Sequence, residues 1–196
     1  MTPTLITAHL DTPVIGEPPI LDGPLAWAAA ITHPDPPPIT PDCAPDFDLP
    51  LGRWEQDGFW GWQVSRPHAE IVHHSTVESR RRPAVGPMAR YTTARDHHAG
   101  LGPMKARNTV LAAAHATRIT WHAVVTDSDL LHQLLCHITH LGARHRDGYG
   151  HVARWETSPS DDPDGWRDRP MPAPDGQVMR VRAPYWHPTE RTTCAG

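Results

Sequence analysis

Cysteine is scarce in this 196-residue chain: Cys43, Cys136 and Cys194 are the three, far apart, with no CxxC or Cys–His spacing. An odd, dispersed set gives neither a disulfide framework nor a metal-ligand motif, and it points to a reducing compartment. Long apolar runs are missing too. The N-terminus has no basic stretch followed by an apolar one, so neither a membrane span nor an export leader is expected. Nor is there an excess of positive charge, because the formal net charge is −4 and the pI about 6.4. Whole-molecule charge therefore does not announce nucleic acid, but its distribution says more. Residues 1–79 carry eleven acidic and two basic side chains. Residues 80–107 carry Arg80, Arg81, Arg82, Arg90, Arg95, Lys105 and Arg107 against Asp96 alone. This asymmetry predicts one face for a polyanion and another for protein or solvent, with a solvated basic loop as the plainer alternative. The 15 histidines are scattered and form no metal motif, so no metal or cofactor is expected. The expectation is a soluble, cytoplasmic chain long enough to bury one core.

Taken in order, residues 4–10 alternate Ile6, Ala8 and Leu10 with Leu5, Thr7 and His9, as a partly buried strand does. The stretch ILDGPLAWAAAI then predicts a short helix, with Asp22 or Gly23 as cap and Pro24 in the first turn. Leu25, Trp27, Ala28 and Ile31 would face its core. Residues 33–58 are too proline-rich for a helix or a central strand and predict a surface excursion. Residues 59–65 and 69–78 predict two strands joined by a turn at 66–68. The basic segment follows, so that 53–108 reads as an inserted arm. Residues 118–125 alternate again, with Ile119, Trp121, Ala123 and Val125 inward. An acidic linker and a last possible strand at 177–183 precede the tail.

Between them lies the stretch on which the functional reading turns. Leu130, Leu131, Leu134, Leu135, Ile138 and Leu141 recur at helical spacing. Asp127 or Ser128 would cap this helix, and Gly142 would end it in a left-handed conformation. Cys136 falls inside it as a small core residue. Beyond come Arg144, His145, Arg146, Asp147, Gly148, Tyr149, Gly150 and His151, before 152–155 resume as a strand. Cations beside glycines let a backbone approach phosphates closely while side chains neutralise them. A tight turn with a basic rim is the bland alternative. Reduced to elements, the order is β-α, a long insertion, then β-α-β. That predicts an α+β, ferredoxin-like (RRM-like) split βαβ sheet with helices on one face. Its core would comprise 1–32 and 109–183, with 33–108 as a Pro-rich loop and basic arm and 184–196 as an irregular tail.

Three segments carry a resemblance: the ILDGPLAWAA helix, GLGPMKA before the third core strand, and the helix ending LGARHRDGYGHVARWE. Together they resemble the CRISPR-associated RAMP superfamily, and within it the Cascade-type (Cas five-like) subunit of type IV systems that caps the 5′ handle of the guide RNA. The resemblance leaves out residues 33–58 and the tail. It implies a non-catalytic RNA-binding subunit that touches repeating RAMP backbone subunits, a large subunit and, further, target nucleic acid. It also implies that Arg144, His145, Arg146, Gly148, Tyr149 and Gly150 hold the crRNA backbone. Lys105 and Arg107 would add phosphate contacts. The arm, with Arg80, Arg81, Arg82 and Arg90, would be the thumb.

Two other readings stay open. Some members of the superfamily cut precursor RNA without metal, through a general base and acid acting on the 2′-OH. His97 and His98 are the foremost candidates here, beside His9, His122, His145, Tyr149 and His151. Alternatively, the chain is a protein-interaction subunit without direct RNA contact. Trp54, Trp60 and Trp62 could stack bases, anchor a partner or, the favoured role, pack a core.

Overall fold

The computed structural model describes residues 1–38, 40–81 and 107–195. Its first half runs β1 (Thr2–Leu10), β2 (Val14–Ile15), α1 (Asp22–Thr32), β3 (Arg53–Gln56), β4 (Phe59–Trp62) and β5 (His68–Arg81). The second half runs β6 (Arg107–Val125), α2 (Ser128–His137), β7 (Val152–Pro159), β8 (Met171–Arg180) and β9 (Arg191–Ala195). The architecture is mixed α and β around an antiparallel sheet.

The alternation seen in the sequence builds that sheet. Ile6 and Ala8 of β1 are completely enclosed, and so are Ile119 and Trp121 of β6. Ile6 lies opposite Trp121 on one side and Thr157 of β7 on the other. The far edge of β6 pairs with β5, with His68 opposite Thr120 and Arg81 opposite Arg107. Four strands therefore lie side by side as β5-β6-β1-β7, every pair antiparallel. Short β2 continues the line of β1 along β6, with Ile15 opposite Ala113. Both helices cover one face, since Leu25 and Ala28 of α1 and Leu131, Leu134 and Leu135 of α2 share a single apolar cluster with Ile6 and Trp121. Beyond Ala113 no strand among the described residues flanks the β5–β6 pair on the β1 side. The two strands run on as a ribbon to Arg81 and Arg107, about 20 Å at the usual rise per residue.

Two hairpins, β3–β4 and β8–β9, complete the molecule. A second, smaller core joins them through Trp54, Trp166, Val181 and Cys194.

Several expectations change on contact with this arrangement. Residues 59–62 pair with 53–56 rather than with 69–78. Asp57 (φ 52°) and Gly58 (φ 77°) make a tight turn whose twist suits the two strands. β5 belongs to the main sheet along its first half, so the segment read as an insertion supplies an edge strand. A boundary at 108/109 falls inside β6. The tail expected to be irregular ends in β9. On α1, Leu25 and Ala28 are enclosed, but Trp27 and Ile31 are more than half exposed. Among the described residues, no helix is long and apolar enough to cross a membrane.

Candidate nucleic-acid interface

α2 begins as its sequence dictates: the Asp127 side chain accepts a hydrogen bond from the Leu130 N–H at 2.9 Å. Its end differs. The helix stops at His137, five residues before Gly142, because the chain is captured by a short ladder. Val152 N–H donates to Thr139 C=O at 2.9 Å and Leu141 N–H donates to Gly150 C=O at 2.8 Å. This ladder closes residues 142–149 into a loop and supplies the hydrogen bonds that a longer helix would have made.

The loop is tied at one end to β2 and at the other to the residue before it. Ala143 N–H donates to Ile15 C=O at 2.9 Å, and Gly150 N–H donates to Pro13 C=O at 2.8 Å. Two glycines permit this closeness. Gly142 has φ +82°, and a Cβ there would stand 2.7 Å from Val14 Cγ1 and 2.8 Å from the Ile15 carbonyl. Gly150 has φ +70°, and a Cβ would collide with the Leu141 carbonyl. These residues are required by packing of the loop onto the body, before any ligand is considered.

What the loop then presents is cationic. Residues His145–Asp147 form a single 3-10 turn between Arg144 (φ 63°) and Gly148 (φ 86°), both left-handed. Arg144, His145, Arg146 and Gly148 are exposed, and Tyr149 is half-buried. Asp147 stands 3.7 Å from the Arg144 guanidinium and offsets part of that charge. His151 is anchored instead, with its Nδ1 2.8 Å from Asp11, and its ring meets that of His140 edge-on at 5.0 Å. Burial holds the His140 pKa below its ordinary 6.5. Neighbouring His151 and His145 push the same way, and Asp11 opposes them.

The ribbon brings a second set of cations. Arg80 lies opposite Asn108 and next to the Arg81–Arg107 pair at the described end of β5–β6. Arg80 is exposed and bonded to Glu78, with Nε to Oε2 at 2.9 Å, and Arg107 is exposed. Hydrogen-bonded neighbours connect the two sets: Ala143 to Ile15, Ile15 to Ala113, Ala113 to Ser75. The loop thus stands at the base of the ribbon, and Arg80 and Arg107 at its described end. They are two separate clusters, not one. Arg82, Arg90 and Lys105, with His97 and His98, lie outside the described residues.

The outward face of the sheet is different in kind. Arg118 grips Glu70 with two bonds of 2.6 and 2.8 Å, and Glu156 takes both His9 (2.9 Å) and Arg154 (2.8 Å). These bonds hold both carboxyls below the ordinary range, through Arg118 for Glu70 and through Arg154, then His9, for Glu156. The shallow cavity there, about 420 Å³, is lined by Leu5, Thr7, Thr120 and Ser158 among the ion pairs, with no Phe, Tyr or Trp. Its cations already have partners. Trp54 and Trp62 are enclosed and Trp60 is half-buried beneath Arg53 and Arg182, so core packing describes the tryptophans of β3–β4. Among the described residues, no three of His, Cys, Asp and Glu come together as a metal would need.

Sequence reasoning missed the Asp11–His151 pair, which unites residues 140 apart, and the outward turn of Trp27, which α1's run of alanines disguises. It also passed over the Asp-Gly pair between Gln56 and Phe59, a hairpin signal in plain view. Compared with known families, residues 80–195, more than half of the chain, match the model of the CRISPR type IV associated protein Csf3. No curated protein matches the chain.

Proposed function

As the chain belongs to the family of the CRISPR type IV associated protein Csf3, we propose that it is the guide-RNA-binding subunit of a type IV CRISPR complex. Its role there is to cap the 5′ handle of the crRNA and contact the adjacent backbone subunit. One observation carries this reading. The exposed turn Arg144–His145–Arg146 is fastened to β2 at the base of a ribbon whose described end bears Arg80 and Arg107. A strand of phosphates can follow the ribbon from one cluster to the other. Arg146 of that turn has no ion pair among the described residues, whereas Arg118 and Arg154 on the sheet's outward face are paired to Glu70 and Glu156, which makes that face the poorer surface for a polyanion.

The fold reading moves in the same direction. The order β5-β6-β1-β7, with α1 between β1 and β5 and α2 between β6 and β7, supports a ferredoxin-like split βαβ core of the RAMP kind. The β5–β6 ribbon takes the part of the thumb. Exposed Val110 on that ribbon, with exposed Val72 on β5 at its base, suits contact with a neighbouring subunit.

The subunit is proposed to be non-catalytic. His9 is engaged by Glu156 and Arg154, His151 by Asp11, and His122 packs against His68 and Ser160. His97 and His98 keep the nuclease reading testable. The experiment is a metal-free titration of labelled repeat-containing RNA at two salt concentrations, with the RNA then run on a denaturing gel. Salt-sensitive binding of intact RNA is expected. Arg144→Ala with Arg146→Ala should lower affinity and reduce the salt slope by about 1.4, at about 0.7 per phosphate for a single strand. Cleavage lost in His97→Ala/His98→Ala would reverse the assignment, and an unchanged slope would remove the loop from the interface.

A further inference from the structure

A cavity of about 300 Å³ opens between the first turns of α1 and the segment that follows α2. Pro24, Trp27, Ile138, His140, Gly142 and His145 are among its walls. Trp27 is the unusual member. On a helix whose Leu25 and Ala28 are completely enclosed, Trp27 leaves 53% of its surface exposed. A large aromatic ring on the wall of an open cleft is a platform for another flat ring.

The cleft's polar groups define what that ring must be. In the ladder, Thr139 C=O and Leu141 N–H turn toward 150–152. His140's own N–H and C=O therefore turn the opposite way and take no partner among the described residues. A donor and an acceptor on one strand edge suit the hydrogen-bonding edge of a base. The start of α1, by contrast, is no anion site. Gly23 N–H is bonded to Ile20 C=O at 3.1 Å, Leu25 N–H to Leu21 C=O at 3.0 Å, and Pro24 has none. Anion-seeking groups stand on the other wall, where His145 lines the cavity and Arg144 and Arg146 flank it in sequence. One wall takes a planar, weakly polar group and the other a negative charge. The volume is at the small end for ligand sites and suits one base.

We infer that this cleft is a base subsite: one unpaired nucleobase of the bound RNA leaves the strand and stacks on Trp27, its edge against His140, while the adjoining phosphates rest on Arg144 and Arg146. This rests on the RNA-binding reading above and adds to it a fixed register, because a single seat on the loop sets which nucleotide stops there.

The test is fluorescence anisotropy with the labelled repeat RNA and with versions carrying one abasic ribose at successive positions. With the wild-type protein, one position should stand out, weakened about fivefold or more, as the loss of one stacked base predicts. Trp27→Ala should lower affinity for the intact RNA by a similar factor and flatten the scan. Trp27→Phe should keep most of both. Since the scan uses the unaltered protein, it does not depend on any variant folding. A flat scan together with wild-type affinity in Trp27→Ala would overturn the subsite. If Arg144→Ala/Arg146→Ala still loses binding in that case, the RNA interface stands without it; if that variant also binds normally, both readings fall. Trp27 shielded in the assembled complex, with a flat scan, would assign the cleft to a protein neighbour and likewise overturn the proposal.

Discussion

Arg169 is the side chain on which the two cores meet. It is fully enclosed and donates to the carbonyls of Trp62, Val64 and Val181, with the carboxyl of Asp22 3.9 Å away. Tyr185 donates to the other Asp22 oxygen at 2.7 Å. The sequence offered Asp22 as a helix cap. In the structure Leu21 holds the cap position without a side-chain bond, and Asp22 is a buried partner instead. Arg169→Ala removes a donor from three carbonyls, of which that of Trp62 keeps the Val64 N–H, and leaves a carboxyl without its counter-charge. It should cost about 3–5 kcal/mol, read from urea unfolding. Burial raises the Asp22 pKa above its ordinary 3.8, Arg169 and Tyr185 pulling back only in part. The folded protein therefore holds that proton to higher pH than the unfolded chain. This group favours the folded state at acid pH, and its contribution is withdrawn as pH rises from 3.8 through the folded value. His140 works in the opposite sense. Its pKa lies below 6.5, so the unfolded chain binds the proton first and stability falls as pH drops through that region. His140→Gln should flatten the acid limb of a melting-temperature profile below pH 6.5.

Among the elements, the loop after α2 separates glycines that look alike in sequence. A Cβ on Gly148 would meet nothing within 4 Å, so Gly148→Ala bears only the left-handed backbone cost, about 1–2 kcal/mol. Gly150→Ala adds a collision with backbone and should cost clearly more, loosening the loop from β2. Parallel denaturation curves would rank the two. The leucine stripe of α2 was legible because its period is local. The helix's end was not, because it is set by hydrogen bonds to 150–152 across an unseen loop. The same reason hid the pairing of β5. Its sequence fits a strand, but which neighbour it takes depends on β6, whose run of alanines at 112–114 gives no strand signal. The cationic loop could be read as a candidate from its residues alone. That Gly142 and Gly150 serve packing first could be read only from what surrounds them.

At the scale of the molecule, β6 is the feature with the widest consequence. One uninterrupted strand of 19 residues serves both the sheet and the ribbon. Arg107 is thus joined to the body by continuous strand, although the pairing with β5 shifts register on either side of Ile71. The spacing from the loop to Arg80 and Arg107 is set by a count of residues, and on the proposed reading it would act as a gauge. Strand geometry fixes its graduation. Removing Glu78 and Ser79 together with Thr109 and Val110, which face each other in register, would shorten the ribbon by about 7 Å while keeping every side chain on its own face. Nuclease footprinting should then show a shorter protected stretch of RNA, with affinity at the loop little changed. On the RNA-binding reading proposed above, a protein built this way would measure its guide as well as hold it.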